Sequence, residues 1–188
     1  MDIKEAVFKT GKLTRNQYKK LAHSNAVKKG FWEVQHPYEH SMMLVISEIC
    51  EAVEAYRNNH KSDYDAFQRD NKLLGLQESF KKNIKNTVED EIADVYIRLY
   101  DYAGAINLDF DDPSNKTNIV KTNFKSFLEE CFEVTRIISR GNDNTHSICV
   151  ALDYLDLLVK HWNIPIDWHV YQKMEYNTHR GYKHGKTC

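Results

Sequence analysis

An all-α helical bundle is the fold class this sequence predicts, and two observations carry the prediction. Glycine and proline number only 7 and 3 in 188 residues, against 11 tyrosines, 8 phenylalanines and 3 tryptophans. That balance is poor in chain-breaking residues and rich in core-forming ones. Apolar residues also recur at helical rather than alternating spacing through several long segments. The length suits one core, so residues 1–188 are expected to form a single domain built on four or five helices.

The first predicted helix runs from about Thr14 to Lys29, with a Thr-x-x-Gln cap at its start and Gly30 as its stop. A second spans about Tyr38 to Asn58, its stripe made by Met42, Val45, Ile46, Ile49, Val53 and Tyr56. Residues 60–85 are charged and irregular and read as an exposed insertion with a short helix around Leu73 to Phe80. Helical spacing returns from about Asn86 to Ile106 through Val88, Ile92, Val95, Leu99, Ala103 and Ile106. After an Asp-Asp-Pro-Ser-Asn turn, Val120, Phe124, Phe127, Cys131, Val134 and Ile138 mark a fourth helix, stopped by Gly141. A fifth, capped by Asn144 or Thr145, carries Ile148, Leu152, Leu155 and Val159, and a short last helix runs from about Pro165 to Asn177.

The halves resemble each other. Glu48 and Glu51 align with Glu130 and Glu133, and the exit at Asp109 aligns with that at Asp167, an offset of 167 − 109 = 58. Two related helix pairs are therefore expected, an active half over about 14–110 and a degenerate half with a tail over about 118–186. On that alignment Cys149 and Leu152 fall where Glu91 and Asp94 stand in the first half.

Lys plus Arg number 26 against 27 for Asp plus Glu, a net charge of -1. No nucleic-acid polymer and no anionic membrane is invited by such a balance. Cys50, Cys131, Cys149 and Cys188 form no CxxC pair, which suits free thiols, and no apolar run has the length of a membrane span. Cytoplasmic residence is the expectation.

Glu48 and Glu51 lie three apart on one helix, and Glu91 and Asp94 three apart on another, each pair beside its apolar stripe. Packing those stripes together would gather four carboxylates at the margin of the core, where uncompensated charge costs several kcal/mol each. A hard divalent cation resolves the conflict, and Mg²⁺ bound this way shares its coordination with substrate phosphates.

This ExxE followed by ExxD, preceded by Lys29-Gly30-Phe31-Trp32 and followed by a Lys173/Asn177/Arg180/His184/Lys186 tail, resembles the MazG and dimeric dUTPase superfamily of all-α nucleoside triphosphate pyrophosphohydrolases. The resemblance implies hydrolysis of a (d)NTP to the monophosphate and pyrophosphate. Mg²⁺, with Mn²⁺ able to substitute, would be held by Glu48, Glu51, Glu91 and Asp94, and Glu48 or Glu51 would orient the attacking water. Lys173, Asn177, Arg180, His184 and Lys186 would bind phosphates, and Trp32 would contact the base. A homodimer is the expected assembly. Two departures stand out: 91 − 51 − 1 = 39 residues separate the motifs, more than the family's usual interval, and a second helix pair precedes the tail.

Other readings remain open. A pyrimidine-selective dUTPase or dCTPase-like enzyme fits the same motifs, and a helical interaction protein with a vestigial nucleotide site fits the fold. A di-iron centre needs Glu-x-x-His on core helices, which neither motif supplies. His36 and His40, four apart, read as exposed polar residues beside a proline turn more readily than as a metal pair.

Overall fold

The computed structural model describes residues 13–119, 123, 125–140 and 144–185. Val120, Phe124, Gly141, Lys186 and Cys188 lie outside the described residues. Seven α-helices and two 3₁₀ turns, and no strands, make up the regular structure among them: α1 (Arg15–Lys28), α2 (Tyr38–Arg57), α3 (Tyr64–Asn83), α4 (Val88–Ala105), α5 (Phe127–Ser139), α6 (Asn144–His161) and α7 (Ile166–Thr178). The all-α class is as predicted. None of these helices is long and apolar enough to cross a membrane.

Local chemistry explains the boundaries. Thr14 and Gln17 close a reciprocal capping box on α1, and Ser126 with Glu129 does the same for α5. Thr87 caps α4 through its hydroxyl, and three acids, Glu89, Asp90 and Glu91, follow in the first turn, at the positive end of the helix dipole. Gly30 takes φ +84 after α1, and the Tyr182 ring packs where a β-carbon would stand.

α4 is the hub. It packs against α1, α2, α6 and α7, and buries residues all around its circumference, including Ile92, Ala93, Val95, Tyr96, Leu99 and Ala103. α5 joins α6 and leans on α2, completing the main core.

Residues 60–85 differ from expectation. They hold a twenty-residue helix, α3, kinked at Gly75 (φ 77), and not a loose insertion with one short turn. Its Asp63 cap and the buried Phe67, Phe80 and Ile84 pin it to Tyr176 and Trp168 of α7 as a satellite cluster. Few apolar anchors and a mid-helix glycine leave little periodicity to read, so tertiary contact with α7 decides the outcome.

α4 and α6 end alike: Asn107 and Asn163 both take φ 54, and the next amide reaches back, Leu108 to the Ala103 carbonyl and Ile164 to that of Val159. α2 ends the same way, with Asn59 at φ 51 and the His60 amide on the Ala55 carbonyl, so this is a shared left-handed C-cap and not a mark of duplication. In the second half Glu130 accepts a 2.6 Å bond from the Tyr154 hydroxyl, whereas Glu48 is held by Arg98.

Candidate functional site

α4 presents Glu91, Asp94, Arg98 and Asp101 at i, i+3, i+7 and i+10, a polar stripe along one face of an otherwise buried helix. α2 crosses it in the opposite sense and sets Glu48 against Arg98, whose Nε and Nη2 donate to one Glu48 oxygen at 3.0 and 2.9 Å. Glu48, Glu91 and Asp94 each bring a carboxylate oxygen within 4.8 Å of the others. No other set of three or more His, Cys, Asp or Glu side chains converges this way among the described residues.

Glu51, expected as a fourth member, is exposed and does not join the trio. One turn along α2 from Glu48, it faces a neighbouring groove that it lines with Glu91, Glu54, Asn58, His60 and Asn86. Its charge still reaches the centre, adding to the repulsion felt by both Glu48 and Glu91.

Lys173 also departs from expectation. Rather than facing a phosphate site, its ammonium is buried between Asp90 and Asp94, at 2.8 and 2.7 Å. Spacing four residues from Asn177 correctly placed both on one face of α7; that face meets α4, whose first turn is acidic. Burial alone would depress the Lys173 ammonium, but Asp94, Asp90 and Glu91 carry it above its ordinary value.

The electrostatics are those of a site short of positive charge. Burial pushes the Glu91 carboxyl up to about 8, with Lys173 opposing and Asp94, Asp90 and Glu51 pushing the same way as burial. Asp90 rises to about 6, chiefly by burial against the pull of Lys173. Glu48 is raised by burial and by Asp94, with Arg98 opposing. Five carboxylates, Glu48, Glu51, Asp90, Glu91 and Asp94, stand against Lys173 and Arg98, a surplus of 5 − 2 = 3 when all are ionised. An oxygen-only donor set with that surplus fits a hard dication such as Mg²⁺.

Glu48 and Asp94 line a narrow cleft of about 70 Å³ between α1, α4 and the segment after α7. Asn177, Arg180 and His184, expected from the tail motif to bind phosphate, line it too. The Asn177 Oδ1 and His184 Nε2 are buried there without a hydrogen-bond partner, groups that a polar ligand would satisfy. Burial, with Arg180, Lys29 and Arg98 nearby, pushes His184 down to about 4, so it is neutral at physiological pH. The segment after α7 is strapped in place by Lys29, which donates to the carbonyls of Thr178 and Arg180, and by the Lys183 amide on the Lys29 carbonyl at 2.8 Å.

Trp32 does not line this cleft. It borders a small adjoining one of about 30 Å³ with His36 and His40, whose rings stack at 4.3 Å. Phe31, Arg98 and Asp101 are shared by both. Three polar positions of the site went unread in the sequence: Arg98 and Asp101, which continue the ExxD stripe for two further turns of α4, and Asp90, which lies off that stripe beside Glu91.

Comparison with protein-family models, with curated proteins and with solved structures gave no match for this chain.

Proposed function

We propose that the chain is a Mg²⁺-dependent nucleoside triphosphate pyrophosphohydrolase, converting a (d)NTP and water to the monophosphate and pyrophosphate. One observation carries the reading: Glu48, Glu91 and Asp94 converge from two helices, and Glu48 and Asp94 of this trio line a cleft together with Arg180, Asn177 and His184. Acidic residues alone would repel a polyphosphate. Sharing a cleft with Arg180, they form a place where a cation and a phosphate chain can be held together.

Glu48, Glu91 and Asp94 would hold the cation, which when bound supplies charge compensation for the phosphate chain. Arg180 grips phosphate oxygens as a planar fork and the neutral His184 can donate from Nε2, while the unpartnered Asn177 Oδ1, an acceptor, would meet a donor or the cation rather than a phosphate oxygen. Arg98 orients Glu48 by its paired bonds. Of the two candidates for orienting a water toward the α-phosphorus, Glu48 lines the cleft and would take that role, while Glu51 faces the neighbouring groove one turn away. That attack forms one P–O bond and breaks the bridge to the β-phosphate, with the water's proton passing to the carboxylate.

The test is pyrophosphate release from a panel of canonical and modified (d)NTPs, with Mg²⁺, with Mn²⁺ and with EDTA. Metal-dependent turnover abolished in Glu91→Ala is the expected result. Absence of turnover across the panel, or a Glu91→Ala variant as active as the parent, would reject the enzyme in favour of a non-catalytic helical protein.

A further inference from the structure

Asp101 is not accounted for by phosphate or cation binding. It lies seven residues beyond Asp94 on the same face of α4, two turns and on the order of 10 Å along the axis. That is the reach of a nucleotide from its α-phosphate to the outer edge of its base. The cleft that Asp101 lines also has apolar members, Ala22 and Ala26 of α1, Phe31 and Ile97, beside the polar Asn25 and Arg98. Small and aromatic side chains of this kind suit a planar heterocycle.

The carboxylate is held for a purpose other than packing. His23 Nδ1 and Trp32 Nε1 both meet the same oxygen, Oδ1, at 2.8 Å. Oδ2 receives no hydrogen bond from any described residue, and the side chain is 16% exposed, at the cleft. Burial raises the Asp101 carboxyl, while the two hydrogen bonds favour its ionised form. An ionised carboxylate accepts and never donates. It therefore welcomes an N–H edge and repels a carbonyl.

We propose that Asp101 reads the base and selects nucleotides carrying an exocyclic amino group, cytosine over uracil in the pyrimidine series. The inference rests on the triphosphate reading above. Cytosine would give its amino hydrogen to Oδ2, whereas uracil would set its O4 lone pairs against the carboxylate. Since a site built around a buried polar group discriminates strongly, dCTP should exceed dUTP in kcat/KM by roughly 10–100-fold.

The experiment measures pyrophosphate release from dCTP and dUTP, a near-isosteric pair, by the parent protein and two variants. In Asp101→Asn the amide oxygen still accepts from Trp32 and His23, while the amide nitrogen donates where Oδ2 accepted, so the preference should collapse or invert. Trp32→Phe removes one bond to Oδ1 and leaves Oδ2 unchanged, so dCTP should remain preferred even where overall activity falls. The parent's ratio decides the matter whether or not either variant folds. A parent that turns over dUTP as well as or better than dCTP, or an Asp101→Asn variant with an unchanged ratio, overturns the assignment and leaves the triphosphate reading intact. Pyrophosphate from neither, nor from any other nucleotide, removes both.

Discussion

Replacing Glu91 by glutamine should make the metal-free protein more stable while abolishing turnover. Burial pushes this carboxyl from its ordinary 4.5 up to about 8. The fold thus binds a proton that the unfolded chain releases throughout that interval, and stability declines as pH rises through it. At pH 7 the gap from 4.5 is roughly 2.5 pH units, and at about 1.4 kcal/mol per unit it costs about 3.5 kcal/mol. Water in the groove beside Glu91 reduces this, and about 2 kcal/mol is a fair working figure. Glutamine has nearly the same shape and no charge to bury. For a chain of this length the gain corresponds to a rise in Tm of about 4–8 °C. Thermal melts of both proteins in EDTA at pH 7 and pH 5 make the assay, with the difference shrinking at pH 5. Added Mg²⁺ should raise the parent's Tm and leave the variant's in place. A variant that melts at or below the parent at pH 7, or a difference indifferent to pH, refutes the account of this site as one strained for want of a cation.

Lys173→Met should destabilise by about 3–5 kcal/mol, because it leaves Asp90 and Asp94 buried without their ammonium; denaturant titration in EDTA checks this, and a loss below 1 kcal/mol would contradict it. His169, buried with an unpartnered Nδ1, is pushed down to about 4 by burial. The unfolded chain takes up that proton from about pH 6.5 downward and the fold resists until about pH 4, so about 3 kcal/mol of stability is lost as pH falls across that window. Urea unfolding at pH 7 and pH 4 should show a smaller loss for His169→Phe than for the parent, and parallel losses would remove His169 as the cause. Gly30→Ala forces a β-carbon into the left-handed region and into the Tyr182 ring, costing about 1–2 kcal/mol for the backbone alone. Adding Tyr182→Ala should recover the steric part and leave the backbone part; full recovery would show that φ +84 carries no penalty.

Much of the scaffold was legible because α2, α4 and α6 bury continuous stripes, and burial at helical period is what sequence displays best. The Thr14–Gln17 box was legible because both its partners are local. α3 was not, since its two buried phenylalanines find their partners in α7, almost a hundred residues away in sequence. At the site, spacing told which carboxylates share a face, and Glu48, Glu91 and Asp94 do converge. It could not say that Glu51 would turn toward the next groove, nor that Lys173 would be consumed by Asp90 and Asp94. Those outcomes depend on how α2 and α7 are rotated against α4, a tertiary quantity with no local signature. Asn177, Arg180 and His184 were found through a resemblance to a tail motif, and all three line the cleft.

Lys29 fastens a segment 149 residues further along the chain. Closing so long a loop costs entropy that local helix formation does not repay, so contacts of this separation tend to be made late in folding. The acidic trio needs only α2 and α4, which pack on each other and are separated in sequence by α3 alone, and can gather earlier. A chain caught between those two moments has its negative centre without the segment that Lys29 ties down, so the cleft is completed by the last contacts rather than by the first helices.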